Sequence, residues 1–504
     1  MSAFEGLLLG FQSIMTPEIL LFMVVGCALG MVTGVLPGFG PPSATALLLP
    51  IVFLVSPTAS IAMIASIYYG SMYGGTITAI LLNVPGEAAS VATGLDGYQM
   101  TKRGQGGKAL AISAIGSFVG GFIAMIGMVF ASSFAILALK LTYIDIFALA
   151  LLALIVVIGL TGKSMIKGLI PAALGLFVGT VGLDHFSGAQ RFTFGSPDMA
   201  GGISYIAVIM GIFGLTEILT NLGQKQLINF SANIGPTRVA WKDIRESIGS
   251  MGRGTVVGFF FGLLPGSPSA AAAFTSYALE KRVSKHPERF GKGAIQGVVG
   301  PDTAANALAI SNFIPLMTLG IPSSSTMAII FSALIVNGLQ PGPLLFDQHP
   351  DVAWGIITSL VLANVILLIM ALPLVRVWVS VLKIPTELLY PAVLGVMTLG
   401  AYAVNNSIFD VIVMWVAGLM GFILTRFDMP LAPAALTLVL GPMLEGNFRR
   451  GLSLGQPLAE TFLSSPVAIG CYTVMIAVFA FKGFAVLKKL LRAYKGRGEA
   501  VAVS

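Results

Sequence analysis

Apolar stretches of about 20 residues recur from Glu18 almost to the C-terminus of this chain, and nothing else in the sequence limits its fold so sharply. A helix rises about 1.5 Å per residue, so about 20 residues cross the roughly 30 Å hydrocarbon layer of a bilayer. Composition agrees: of 504 residues, 56% are hydrophobic and 10% charged, with a mean hydropathy of +0.92. A soluble domain carries about 25% charged residues. Lipid offers no partner for a backbone N–H or C=O, which leaves helices and closed barrels as spanning structures. A barrel would alternate over roughly ten-residue strands, whereas these runs are continuous and rich in Leu, Ile, Ala and Gly. The chain reads as an all-α polytopic membrane protein.

Spans of good apolar continuity lie at 61–82, 109–138, 142–160, 168–184 and 203–222, and again at 294–318, 353–375, 387–405, 408–425, 430–445 and 466–486. Four further segments are broken by Pro and Gly, so the expectation is about 11–12 transmembrane helices plus broken or re-entrant hairpins. The division is a first membrane unit at 1–222, a cytoplasmic linker at 223–253, a second unit at 254–486 and a basic cytoplasmic tail at 487–504. Threading the spans with the C-terminus in the cytoplasm puts 24 of the 28 Lys and Arg residues inside, leaving Lys140, Arg191, Arg449 and Arg450 outside. This is the usual bias of inner-membrane proteins, and it accounts for the net charge of +7 without a nucleic-acid partner. No Lys or Arg precedes the first apolar residues, so a cleaved signal peptide is not expected. Cys27 and Cys471 lie within apolar runs and read as packing residues. Asn405, Asn406 and Asp410 fall at a turn between spans and read as exposed.

The two units repeat each other. Gly34-Val35-Leu36-Pro37-Gly38 recurs as Gly262-Leu263-Leu264-Pro265-Gly266, and Asn83-Val84-Pro85-Gly86 is answered by Gly320-Ile321-Pro322. Asp96-Gly97-Tyr98-Gln99 answers to Asn337-Gly338-Leu339-Gln340, so the offsets run from 228 to 241 residues. Corresponding loops carry opposite charge patterns. The loop from Ser56 to Ser60 has no charge while its counterpart from Lys281 to Lys292 has five basic residues; Asp96 to Lys108 has three, while Asn337 to Asp351 has none. Equivalent loops on opposite sides are the signature of two inverted-topology repeats.

Pro and Gly inside apolar segments free backbone groups from the helix ladder, and such groups are tolerated only against protein or a cavity. A half-helix that begins there presents free N–H groups and a partial positive charge, which attract an anion. The breaks are at Pro37, Gly38, Pro85, Gly86, Pro265, Gly266 and Pro322. Ser323, Ser324, Ser325 and Thr326 after the last break, with Ser90 and Thr93 after Glu87, are the expected ligands of substrate oxygens. Glu87 itself would oppose an anion and reads alternatively as a helix cap. A carboxylate inside a membrane usually marks an ion or proton path. Asp302, together with the amide oxygens of Asn83, Asn306 and Asn312, is therefore the expected holder of a coupling ion, sodium being the one such oxygens suit. Gly26, Gly30 and Gly34, like Gly116 and Gly120, mark faces of close helix packing.

Enzyme signals fail on inspection. Gly162-Lys163-Ser164 resembles the end of a phosphate loop, but the required Gly is Val157. His185, His286 and His349 fall in loops and belong to no zinc motif, and no nucleophile elbow occurs. No cofactor is expected.

Taken with Gly34 to Pro50, Tyr68-Tyr69-Gly70-Ser71-Met72-Tyr73-Gly74-Gly75, Asn83-Val84-Pro85-Gly86-Glu87 and Gly338-Leu339-Gln340-Pro341-Gly342-Pro343, the chain resembles the large membrane subunit of tripartite tricarboxylate transporters over nearly its full length. The resemblance implies a secondary transporter that imports carboxylates on an ion gradient, served by a periplasmic solute-binding protein and a small membrane subunit. It implies, too, an elevator-like motion of the two hairpins. The chain departs from the family pattern at Pro265-Gly266-Ser267-Pro268, Asp302-Thr303-Ala304-Ala305-Asn306-Ala307 and Gly320-Ile321-Pro322-Ser323-Ser324, all at the expected site. The rival readings are a channel, an intramembrane enzyme and a scaffold subunit without its own pathway.

Overall fold

Proline and glycine set the helix boundaries of this chain. Proline occupies the first helical position of many elements, where its missing N–H costs nothing and its fixed φ suits the helix. The computed structural model describes residues 2–36, 38–52, 55–161, 165–184, 186–222, 234–381, 386–455, 457–463, 465–478 and 480. Pro37, His185, the Gly162-Lys163-Ser164 motif, residues 223–233 of the linker and the tail at 487–504 lie outside them.

The first half runs α1 (Ala3–Ile14), α2 (Pro17–Val35), α3 (Pro41–Val52), α4 (Pro57–Leu82), α5 (Ser90–Lys102), α6 (Gly106–Val129), α7 (Ala131–Ala138), α8 (Tyr143–Thr161) and α9 (Met165–Gly179). A two-residue antiparallel pair, β1 (Gly182–Leu183) with β2 (Gln190–Arg191), precedes α10 (Pro197–Ala200), α11 (Tyr205–Ile209), a π-helical turn at Met210–Leu215 and α12 (Thr216–Asn221). The second half runs α13 (Trp241–Leu263), α14 (Ser269–Val283), α15 (Ile295–Ser311), α16 (Phe313–Leu319), α17 (Ser325–Val336), α18 (Pro343–Gln348), α19 (Pro350–Ala371) and α20 (Val375–Ser380). It closes with α21 (Thr386–Asn405), α22 (Ile408–Arg426), α23 (Ala432–Leu452) and α24 (Leu458–Leu463). The protein is all-α apart from the β pair among the described residues. Among the described residues five helical segments, Pro17–Val35, Gly106–Ala138, Pro350–Ala371, Leu388–Asn405 and Ile408–Arg426, are long and apolar enough to cross a membrane. Others, such as Pro41–Val52 and Ser325–Val336, are apolar but short, as half-helices are. α13 begins at Trp241, inside the segment read as a linker.

Helices in lipid associate through close contact rather than through expulsion of water, so small residues decide which pairs form. On α2, a Cβ added to Gly26, Gly30 or Gly34 would run into the carbonyls of Met63, Ile67 and Ser71 on α4. The numbers rise together, so α2 and α4 run parallel. α3, which joins the end of α2 to the start of α4, must run back between them, and the α2–α3 unit is a hairpin. The second half does the same: Gly254, Gly258 and Gly262 on α13 meet the carbonyls of Gly300, Ala304 and Leu308 on α15, and α14 returns. Equivalent turns share a conformation, with φ +87° at Gly38 against +75° at Gly266, and +59° at Asn83 against +69° at Gly320. α4 runs opposite to α15 and the α16 that follows it, since Thr76 bonds Asp302 on α15 at 2.9 Å while Tyr68 lies tilted beside Phe313 at the start of α16, ring centroids 6.3 Å apart.

Asp410 departs from expectation. It is buried at 5% exposure, because Ser407 caps α22 through the Asp410 N–H at 3.4 Å and Asn405 Nδ2 donates to its carboxylate at 2.7 Å. A polar residue in the first turn of a helix is drawn inward when cap and partner are both at hand.

Candidate functional site

Each half contributes a hairpin tip and a helix break, and in each half the two meet. Gly86 packs so tightly on Gly34 that a Cβ there would strike its carbonyl, while the Gly266 N–H donates to Ser323 O at 2.7 Å. Around this junction lies a cavity of about 210 Å³. Four half-helices begin at its wall: α3 at Pro41 and Pro42, α5 just beyond Glu87 and Ala88, α14 at Ser269 and Ala270, and α17 at Ser325 and Thr326. Val157 of α8 and Ala432 and Leu436 of α23 close the remaining side.

The two halves differ in what they offer. Pro41 and Pro42 have no N–H, so α3 supplies only its dipole. α14 opens with Ser269 and α17 with Ser325 and Thr326, and the amides of the first two residues of each are unclaimed by the helix ladder, while Ala271 and Met327 donate to Pro268 O and Ser324 Oγ. Ser324 is the N-cap of α17, its hydroxyl accepting from Met327 N–H at 3.3 Å. Ser323 Oγ donates to the Asn312 backbone and side-chain oxygens, both at 3.1 Å. That leaves Asn312 Nδ2 as a buried donor without a partner on the cavity wall. An unpaired buried amide donor costs about 1–3 kcal/mol, and a ligand oxygen would relieve it. No Lys, Arg or His lines the cavity among the described residues. The arrangement can hold the oxygens of a small anion by backbone N–H groups, hydroxyls and one amide, with Tyr68 and Met72 against its carbon skeleton.

Of the residues expected to bind substrate, Ser323, Ser324, Ser325 and Thr326 line the cavity. Ser90 and Thr93 are buried just behind it on α5: Ser90 Oγ donates to Glu87 O at 2.8 Å, and Thr93 Oγ1 has no partner. Of the breaks, Gly266 is on the wall and Pro322 is buried beside it, whereas Pro85 is exposed. Of the four residues expected to hold a coupling ion, Asp302 and Asn306 are brought together, whereas Asn83 and Asn312 stand apart from them. Asn83 is exposed in the left-handed C-cap of α4, and Asn312 turns its oxygen to Ser323. Asp302 sits deeper, at 2% exposure, in a cage of three hydroxyls: Thr76 at 2.9 Å, Ser113 at 2.6 Å, and Ser117, whose contact is shorter still. Asn306 Nδ2 completes it by donating to Ser117 Oγ at 2.9 Å. Glu87 does not cap α5; the N-cap is Ala89, without a side-chain bond.

Sequence reasoning missed Tyr68, Pro41, Pro42, Ser267 and Ser269 on the wall. The serines after Pro265-Gly266 mirror those after Pro322, and that likeness was the available signal. A second, wider cavity of about 710 Å³ is lined by Asp184, Arg191, Asp198, Asp410 and Glu445. There Arg191 and Arg449 each bridge Asp184 and Glu445 at 2.7–3.0 Å. The Asp184 carboxyl is held well below its usual range, chiefly by the Ser187 hydroxyl, with the Phe186 N–H and the two arginines adding to it.

Residues 20–436 match the model of a family described as the tripartite tricarboxylate transporter TctA family. Two proteins of Agrobacterium vitis are similar. An uncharacterized 52.8 kDa protein in the TAR-I ttuC' 3' region is 43% identical over 483 residues, 95% of either chain. An uncharacterized protein in the TAR-II ttuC' 3' region is 42% identical over 226 residues, 44% of this chain and 93% of the relative. No solved structure matches.

Proposed function

This chain belongs to the tripartite tricarboxylate transporter TctA family, and from that premise we propose that it is the large membrane subunit of a secondary carrier importing a small carboxylate on a sodium or proton gradient. The observation that carries this reading is the meeting of helix N-termini from both halves around one cavity of about 210 Å³. That geometry favours an anion small enough to be enclosed, bound through Ser323 to Thr326, Asn312 and the free amides of α14 and α17. Ser90 and Thr93 form the layer behind, and reach the solute only if α5 shifts.

In this reading the halves are inverted repeats, each a re-entrant hairpin followed by a discontinuous helix. The shared turn conformations and the antiparallel crossing of α4 and α15 support it. α2–α7 with α13–α20 form the body that carries the cavity, and α8–α12 with α21–α24 form the frame along which it moves. The chain sits in the bacterial inner membrane with its C-terminus in the cytoplasm, where most of its basic residues lie. A small membrane subunit assembles with it, and a periplasmic binding protein delivers the solute.

The test is uptake of labelled citrate, succinate and other carboxylates into proteoliposomes holding this chain and its small partner. Binding protein is supplied or withheld under imposed sodium or proton gradients. Saturable uptake that requires one gradient is expected; unsaturated flux without any gradient would make the protein a channel.

A further inference from the structure

The charge balance of the cavity is unequal to its expected occupant. Four helix N-termini favour an anion, yet the one charged side chain on the wall among the described residues is the acid Glu87. No basic side chain of the described residues lines the site to offset it. Glu87 lies on the turn before α5, its backbone N 3.2 Å from where a Cβ on Gly75 would stand. Its backbone O accepts from Ser90 Oγ, and no described residue hydrogen-bonds its carboxylate. Of the other titratable groups, Tyr68 on α4 shares the wall with it, and Asp302 on α15 is buried off the wall among its hydroxyl partners. α3, α8, α14, α17 and α23 present none to the cavity, and Glu217 on α12 faces the neighbouring tip at Gly38. A carboxylate brought in by the solute would share with Glu87 a small site from which water is largely displaced, and carboxylates so confined do not both ionise freely.

Resting on the carrier reading above, we propose that Glu87 binds one proton whenever the carboxylate solute binds, and that this proton travels inward with it. The proton comes from water on the side from which the solute enters. It neutralises the Glu87 carboxyl, which then donates a hydrogen bond to a solute oxygen instead of repelling it. When the solute leaves, the acid faces cytoplasmic water and releases the proton there. Asp302 stays behind, held by Thr76, Ser113 and Ser117.

The experiment is calorimetric titration of the purified full chain with citrate and with succinate, in two buffers of different ionisation enthalpy, corrected for protonation of the free acids. The wild type is expected to take up about one proton per anion bound. Glu87→Gln, which keeps the shape and donates a hydrogen bond permanently, is expected to bind with no proton uptake. Its affinity should stay constant across pH 6 to 8, while the wild type's weakens as pH rises. Glu87→Asp, which keeps the acid, should retain the uptake, so a loss of fold in the Gln variant cannot imitate the result. Binding by the wild type without proton uptake, or uptake retained in Glu87→Gln, would overturn the proposal and leave the carrier intact. Failure of the wild type to bind any carboxylate would overturn both readings.

Discussion

Ser324 does two jobs with one hydroxyl. It caps α17 by accepting from Met327 N–H, and it stands on the cavity wall. Losing an N-cap serine costs about 1 kcal/mol, and a factor of ten in affinity corresponds to about 1.4 kcal/mol. Ser324→Ala is therefore expected to raise the KM for carboxylate uptake about five- to tenfold, and Ser324→Thr to restore most of it; uptake kinetics unchanged in the Ala variant would remove Ser324 from the site. Asp184 has a different role, as the acid of the Arg191 and Arg449 network. Its folded pKa lies below the unfolded value of about 3.9, so its contribution to stability is complete above that value and is lost as pH falls beneath it. The melting temperature of Asp184→Asn should then fall short of the wild type's by the same interval at pH 5, 6 and 8, whereas a gap that closes between pH 8 and pH 5 would contradict the depressed pKa.

At the level of elements, glycine spacing decides which helices touch. Gly258 on α13 lies against the carbonyl of Ala304, where a Cβ would have to displace backbone, while Gly252, six residues earlier on the same helix, has open space around it. Forcing atoms into a packed contact costs about 1–3 kcal/mol, and Gly to Ala in an open helical position gains up to about 1 kcal/mol. Gly258→Ala is expected to lower the melting temperature in detergent and Gly252→Ala to leave it level or raise it; equal effects would mean that α13 and α15 do not pack through this face. The α2 counterpart of that face was legible beforehand, because Gly26, Gly30 and Gly34 stand four apart in an apolar run. The breaks were legible too, because Pro and Gly interrupt segments that have no other reason to be interrupted. The hydroxyl cage of Asp302 was not. Its donors come from Thr76, Ser113 and Ser117, which are separated from it by 226, 189 and 185 positions, and only the crossing of α4, α6 and α15 brings them together. Asn312 was read as an oxygen ligand because Asn offers both an oxygen and an N–H₂; the Ser323 hydroxyl takes the oxygen and leaves the donor.

Across the whole molecule, the proposed carrier has its cavity between the helices assigned to the body and Val157, Ala432 and Leu436 of those assigned to the frame, so on that reading solute crosses only if the two slide or part. α3 of the body meets α21 of the frame where Pro50 fills the space that a side chain at Gly400 would need. A flat, side-chain-free spot on the frame lets α3 pass with little change in contact energy, since a packed interface resists displacement in proportion to how deeply its side chains interlock. Gly400 does not line the cavity, so a larger residue there should spare the affinity for solute and slow the passage. Gly400→Leu is expected to leave the dissociation constant for carboxylate within about twofold while cutting the maximal uptake rate about tenfold or more, a barrier of roughly 1.4 kcal/mol or above. The pair of measurements separates motion from binding: a loss of affinity with the rate per bound solute unchanged would mean that α3 and α21 stay fixed to one another and that the pathway opens elsewhere.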